Sequence, residues 1–182
     1  MFLIQSLTVQ SGDFHTNQLH ASCVLGHLTS AECMLTVFWD RKGIIKMDFL
    51  DKGRTMNAAY YCDLLKEVRS IRRKTRGVPF WLLHGNAPIH TTNQGTQEIE
   101  RCGFQLLQHA PYSPDFTPSD FALFRLLKRH LKGRHFATAA ELKEAVTNFL
   151  SELPPEFFIK AFDELAHRWR KCVDNNGSYI EK

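Results

Sequence analysis

The first half of the chain alternates between strand-type and helix-type patterns of apolar residues. Met34–Asp40 (MLTVFWD) and Ile44–Leu50 (IIKMDFL) are rich in branched and aromatic residues, and the RKG between them is typical of a tight turn, so they predict a β-hairpin. Asn57 is a typical N-cap for a helix that runs to about Arg73. The apolar stripe of that helix consists of Tyr60, Leu64, Leu65, Val68 and Ile71. Val78–His84 (VPFWLLH) then predicts a strand that is buried on both faces.

The second half of the chain is mostly helical in pattern. A helix is predicted near Thr92–Arg101 with Gly103 as its C-terminal cap, and Phe104–Ala110 (FQLLQHA) predicts a further strand. Three more helices are predicted near Phe121–Leu131, Ala139–Leu150 and Pro155–Val173. This order of elements predicts an α/β fold, a mixed sheet with helices packed against it. Ligands collect in such sheets where strands end, so the loops after Leu83 and Ala110 are the expected place for chemistry.

Composition and charge exclude several classes of protein. The chain has 182 residues, of which 43% are apolar, so it is long enough for one domain with a full core and is not generally disordered. Five cysteines without a CxxC pair suggest neither a disulfide framework nor a zinc site, and they favour the reducing cytosol or nucleus. The start lacks the pattern of a signal peptide and no stretch is apolar enough for a membrane span, so no membrane partner is expected. A net charge of +4 is compatible with nucleic acid.

Four segments carry a resemblance to a known family. They are Thr36–Tyr61 (TVFWDRKGIIKMDFLDKGRTMNAAYY), Leu82–His90 (LLHGNAPIH), His109–Phe124 (HAPYSPDFTPSDFALF) and Leu127–Phe136 (LKRHLKGRHF). Together they resemble the catalytic domain of mariner-type DNA transposases. The resemblance implies a ribonuclease-H-like fold, two divalent metal ions (Mg²⁺ or Mn²⁺) and cut-and-paste strand transfer. We expect a divergent N-terminal segment at residues 1–30 and the transposase-like domain at 31–182, without the family's N-terminal helix-turn-helix modules.

The family's acidic pattern points to one intact position and one lost position. The family has Asp, a second Asp, then 34 residues and a third acidic residue. Asp120 matches the third acid, and counting back 34 intervening residues gives Gly85, which has no side chain to offer a metal. Two Mg²⁺ ions need several carboxylate oxygens, so the loss of the second acid is expected to weaken the site. Asp13 in the SGD string is a candidate first acid, although it stands only 27 positions before Asp40.

The sequence leaves three functions to weigh. The favoured hypothesis is a degenerate transposase fragment without strand-transfer activity, which retains weak nonspecific DNA binding and needs no metal. The alternative is an active metal-dependent endonuclease or transposase that uses Asp13, Asp120 and a neighbouring acid such as Asp48, with Mg²⁺ or Mn²⁺ as cofactor. A histone methyltransferase role arises only from a fusion protein of the same family, and no segment here resembles a SET domain. The resemblance leaves a homodimer, and a nuclear or cytoplasmic location, as expectations.

Two basic clusters are candidate DNA contacts. Those near the Asp120 loop are Lys128, Arg129, Lys132 and Arg134, and those after the first helix are Arg72, Arg73 and Lys74. The second cluster is more typical of a solvated helix end, where the helix dipole favours cations.

Several other residues have a structural reading beside a functional one. His84 and His90 could bind a metal or form loop hydrogen bonds, and Asp115 is expected to orient the turn before Asp120. The tryptophans are expected in the core; they are Trp39, Trp81 and Trp169.

The resemblance also raises a question about the central strand. In a ribonuclease-H-like sheet the first strand lies between the hairpin and the strand that follows the first helix. Without it, backbone groups would be left unpaired inside the sheet at about 1–3 kcal/mol each. Phe2–Val9 (FLIQSLTV) is the upstream apolar run long enough to span a sheet, so we expect it to serve as a substitute central strand.

Overall fold

The computed structural model describes residues 2–10, 32–71, 80–85, 90, 92–107 and 113–175. Its strands are β1 (Phe2–Gln10), β2 (Glu32–Asp40), β3 (Gly43–Asp51), β4 (Phe80–His84) and β5 (Phe104–Leu106). Its α-helices are α1 (Ala58–Ile71), α2 (Asn93–Arg101), α3 (Arg125–Leu131), α4 (Ala139–Ser151) and α5 (Pro155–Asp174). A 3₁₀ turn at Pro114–Phe116 and a π-helical segment at Ser119–Phe124 lead into α3.

The strands form one mixed sheet in the order β3-β2-β1-β4-β5. β1 is central: Leu3 pairs with Trp39 of β2 in the antiparallel direction and with Leu83 of β4 in the parallel direction. The prediction that Phe2–Val9 supplies the central strand is therefore confirmed. Its apolar run suits a strand that has a neighbour on each side, because every backbone group can then join a ladder.

The hairpin and the helix caps form where the local sequence predicts them. The turn at Arg41–Lys42 is closed by Asp40, whose Oδ1 accepts a hydrogen bond from the Lys42 N–H at 2.7 Å. Asn57 caps α1 through a 2.9 Å bond from the Tyr60 N–H to its Oδ1. Gly103 ends α2 with a φ of 71°, a left-handed conformation that glycine adopts without steric cost.

The two faces of the sheet carry separate apolar clusters. On the α1–α2 face, Phe38, Leu82 and Phe104 pack with residues of α1 and α2. On the opposite face, which we call the α3–α5 face, Val37 and Leu83 pack with residues from the π-helical segment and from α3, α4 and α5. Strand residues alternate between these faces, so the face of each position follows from its neighbours.

The expectation that β4 is buried on both faces is wrong at Trp81. Its side chain is 42% exposed, whereas Trp39 is fully buried and Trp169 is half-buried against the core. Trp81 alternates with Leu82, which places it on the α3–α5 face. The described helical segments of that face pack on β1, β2 and β3, so the start of β4 is left open to solvent.

Candidate active site at the ends of the central strands

Asp120 is held in place by buried contacts of the residues that precede it. The Asp120 N–H donates to the Thr117 carbonyl at 2.8 Å, and Asp120 lies in the first turn of the π-helical segment. Ser119 is 1% exposed and its Oγ accepts a hydrogen bond of 3.0 Å from Trp39 Nε1. Because Trp39 lies on β2, this bond fixes the start of the segment to the sheet. Asp120 is therefore set on a rigid support rather than on a free loop.

Arg168 of α5 reinforces the same region. Its Nη1 contacts Asp115 Oδ1 at 3.2 Å, and its guanidinium lies over the Phe121 ring at 4.2 Å from the centroid. Arg168 Nε also donates to Glu164 at 2.9 Å. The ion pair fits an orienting role for Asp115. Sequence reading missed Arg168, because its partners in the site, Asp115 and Phe121, are more than forty residues away and leave no local signal.

Gly85 follows directly after β4 and is not required by the backbone. Its φ lies outside the left-handed region, and a Cβ built there would meet no atom within 4 Å. Neither conformation nor packing among the described residues therefore excludes a larger side chain. The described fold does not require a glycine here, and a glycine offers no side-chain ligand.

The two histidines beside Gly85 form a buried ring cluster. His90 is 4% exposed, and its ring lies 4.8 Å from that of His84 and 4.6 Å from that of Tyr61. Burial, with a smaller contribution from the charge of His84, lowers the pKa of His90 to about 3. His90 is therefore neutral near pH 7. Burial likewise raises the pKa of Tyr61 above its ordinary value.

Asp48, the neighbouring acid of the active-enzyme hypothesis, lies on the wrong side of the sheet. It pairs with Thr36 of β2, and it alternates with Met47 and Phe49, which pack on the α3–α5 face. Asp48 thus belongs to the α1–α2 face, where its Oδ2 accepts a hydrogen bond of 2.5 Å from Tyr60. Burial and this bond raise the pKa of Tyr60 to about 12. Since Asp120 lies on the other face, Asp48 does not join it.

The described donors around Asp120 do not by themselves supply the ligands of a two-metal site. Within the described ranges, no group of three or more His, Cys, Asp or Glu residues is placed to hold a metal ion. Mg²⁺ and Mn²⁺ prefer carboxylate oxygens, and two ions need several of them. Asp13, the candidate first acid, lies outside the described residues.

The basic cluster after Asp120 forms an exposed surface on α3. Arg129 and Lys132 are exposed and Lys128 is half-buried. Arg125, which the sequence reading missed, is also exposed. It stands four residues before Arg129, and this spacing, which places both on one face of a helix, could have identified it. We call Arg125, Lys128, Arg129 and Lys132 the α3 cations. Within the described residues, none of them forms an ion pair with an acid.

The other predicted DNA contacts differ from the α3 cations. Arg134 contacts His130 Nε2 at 2.9 Å and lines a groove shared with Glu141, Glu144 and Glu152. Three acids beside one arginine make that groove a poor site for phosphate. Arg72, Arg73 and Lys74 lie outside the described residues.

The strand order and the helix placement define a ribonuclease-H-like domain, with the central strand between a hairpin and the strand after the first helix. Comparison with solved structures agrees. The chain superimposes on the Mos1 transposase catalytic domain solved with Raltegravir and Mn, with a TM-score of 0.80 and 28% identity over 98% of this chain and 84% of that one. It also matches the Mos1 strand transfer complex with a TM-score of 0.83 and 29% identity, over 99% of this chain and 55% of that chain.

Sequence relatives point to the same family. Residues 9–79 match the family described as Transposase (partial DDE domain), a range that reaches upstream of Met34. The chain is 34% identical over 154 residues to the mariner Mos1 transposase of Drosophila mauritiana, covering 81% of this chain and 45% of that protein. It is 31% identical over 154 residues to the human histone-lysine N-methyltransferase SETMAR, covering 81% of this chain and 22% of that protein. The chain therefore spans less than half the length of these relatives. It is homologous to the mariner-type transposases, and the shared region matches their catalytic domain.

Proposed function

We propose that the chain is a degenerate mariner-type catalytic domain that binds DNA without sequence preference and does not cleave or join strands. The observation that carries this proposal is Gly85: the position after β4 offers no ligand, and the described residues hold no group of acids that replaces it. The Mos1 catalytic domain has been solved with Mn and with Mg. The donors described around Asp120 do not match such a pair of ions.

DNA is the proposed partner because of the α3 cations. They follow Asp120 along one helical run that ends at Lys132, and all but the half-buried Lys128 are exposed, which suits contact with a phosphate backbone close to the former catalytic cleft. Solved Mos1 complexes include a paired-end complex with a left transposon end. For this chain we propose weak binding through phosphates, in the nucleus or cytoplasm, and we retain a homodimer as a prediction. The described residues contain no helix that combines the length and apolarity needed to cross a membrane.

Charge reversal of the α3 cations should weaken DNA binding. The variant Lys128→Glu/Arg129→Glu/Lys132→Glu is expected to lose roughly 10- to 100-fold in affinity for a duplex of arbitrary sequence at low salt. With fewer phosphate contacts, binding releases fewer counterions from the DNA, and this release is what favours binding at low salt. The slope of log affinity against log salt should fall by about 2–3. Fluorescence anisotropy at several salt concentrations measures both quantities.

A matched control separates local contacts from net charge. Lys160→Glu/Arg170→Glu/Lys171→Glu makes the same change in charge on three exposed residues of α5. It should affect binding less than the α3 variant does. Equal losses in the two variants, or a clear preference of the original chain for one DNA sequence, would contradict the proposed interface.

The purified chain is expected not to nick DNA. Incubation with supercoiled plasmid and Mn²⁺ should leave the plasmid supercoiled, because one carboxylate cannot hold the two ions that this chemistry needs. The competing function is an active nuclease, which has in its favour that the family match at 9–79 includes Asp13. Nicking that disappears in both Asp120→Ala and Asp13→Ala would establish that alternative and refute the proposal.

A further inference from the structure

We infer that Gln5 occupies the strand position of the first metal-binding acid, so that the site has lost its ligands on both central strands. This inference rests on the proposed function and identifies a second lost metal ligand in the same site. It departs from the sequence reading, in which Asp13 is the candidate. The observations that support it are the register of β1 and the face on which position 5 lies.

The register of the two central strands places position 5 beside position 85. β1 and β4 run parallel, with Leu3 paired with Leu83 and Ile4 paired with His84. The paired residues end at Ile4 and His84, and continuing the same register by one residue brings Gln5 next to Gly85. Neighbouring strands are about 4.8 Å apart, a separation at which two short acidic side chains can share one cation.

Both positions belong to the face of the sheet that carries Asp120. Gln5 pairs with Val37, and directly opposed residues of an antiparallel ladder share a face. Val37 and Leu83 both pack in the cluster of the α3–α5 face, and position 85 is two residues beyond Leu83. β1 also packs against the Ser119–Phe124 segment. Positions 5 and 85 therefore share the face that carries Asp120, and the segment that holds Asp120 contacts the strand that holds position 5.

The SGD string that contains Asp13 starts beyond the end of β1. Gln10, three residues before Asp13, lies six positions past Ile4, the residue at the level of His84. At about 3.3 Å per residue, Gln10 is about 20 Å along the strand from that level. The register therefore assigns the position beside Gly85 to Gln5, an amide where a metal site needs a carboxylate.

Rebuilding both positions should restore a cation site. In Gln5→Asp/Gly85→Asp, three carboxylates from two strands and the π-helical segment would surround one point, and position 85 has room for the new side chain. We expect half-saturation by Mn²⁺ at a concentration at least about tenfold lower than for Gly85→Asp alone, because affinity rises with the number of charged ligands. Isothermal titration measures the binding, and the rise in melting temperature with Mn²⁺ gives a second readout.

The control moves the acid by one residue. Ser6→Asp/Gly85→Asp adds the same charge, but position 6 belongs to the opposite face of the sheet. It should bind Mn²⁺ no better than Gly85→Asp alone. Equal binding by the Gln5 and Ser6 variants would overturn the assignment. So would loss of Mn²⁺ binding when Asp13→Asn is added to Gly85→Asp, because Asp13 would then be the first acid.

Two further outcomes are informative. If repulsion between three carboxylates unfolds the double variant without metal, Mn²⁺ should refold it, since a site that exists only in the folded state adds its binding energy to folding. Failure of Mn²⁺ to do so would count against the assignment. Nicking by the unmodified chain tests the proposed function separately, because the titrations above measure only metal binding by the variants.

Discussion

Replacement of Trp39 by alanine is expected to lower the free energy of unfolding by about 3–5 kcal/mol, the range for large aromatic residues in a core. Trp39 is fully buried, and its ring lies 5.3 Å from that of Phe162 and 5.7 Å from that of Phe158. It also donates the buried hydrogen bond to Ser119. The alanine variant loses the apolar contacts, leaves a cavity and removes the donor. Urea unfolding followed by circular dichroism gives the change.

Two further variants separate the contribution of the hydrogen bond from that of the buried ring. Trp39→Phe keeps most of the packing but removes the donor, so about 1–3 kcal/mol is expected from the poorly satisfied Ser119 hydroxyl. Trp81→Ala removes the same type of side chain from a position that is 42% exposed, and it should cost much less than Trp39→Ala. A Trp81 variant as unstable as the Trp39 variant would show that the burial described here is wrong. Should Trp39→Ala fail to fold, the comparison of Trp39→Phe with Trp81→Phe still decides the matter.

Stability should decline steeply in acid because of His90. The pKa of His90 in the folded chain is about 3, below the ordinary value of 6.5. Below pH 6.5 the unfolded chain therefore binds a proton that the folded chain does not bind. The contribution of neutral His90 to the free energy of unfolding is fully present above pH 6.5 and is lost as the pH falls towards 3. The slope approaches about 1.4 kcal/mol per pH unit, and the total is on the order of 5 kcal/mol.

Substitution of His90 by a residue that does not titrate should flatten this dependence. In His90→Gln, the difference in unfolding free energy between pH 7 and pH 4.5 should be smaller than in the original chain, because no imidazole is left to protonate on unfolding. His167→Gln, at an exposed position of α5, is the control and should leave the difference nearly unchanged. His84 and Tyr61 are the titratable groups in ring contact with His90. An unchanged profile in His90→Gln would show that burial of this histidine does not control the acid response.

The location of Asp48 shows why a list of acids does not define a metal site. In sequence, Asp48 is as available as Asp120 or Asp13. Its face follows from the alternation along β3, but only the pairing of β3 with β2 shows that this face is opposite to Asp120. A one-residue shift in register would reverse the result. The same reasoning assigns the position beside Gly85 to Gln5.

The sequence by itself determined the order and type of the elements and the resemblance to the family, and it predicted the loss at position 85. Strand and helix periods, the Asn57 cap and the Gly103 cap are local, so they can be read without the fold. The tertiary structure decided that Trp81 is exposed, that Asp48 faces away from Asp120 and that Arg168 supports the Asp115 turn. These facts depend on which helix covers which part of the sheet and on strand register. Both are set by packing between residues far apart in the chain, as in the bond from Trp39 to Ser119 across 80 positions.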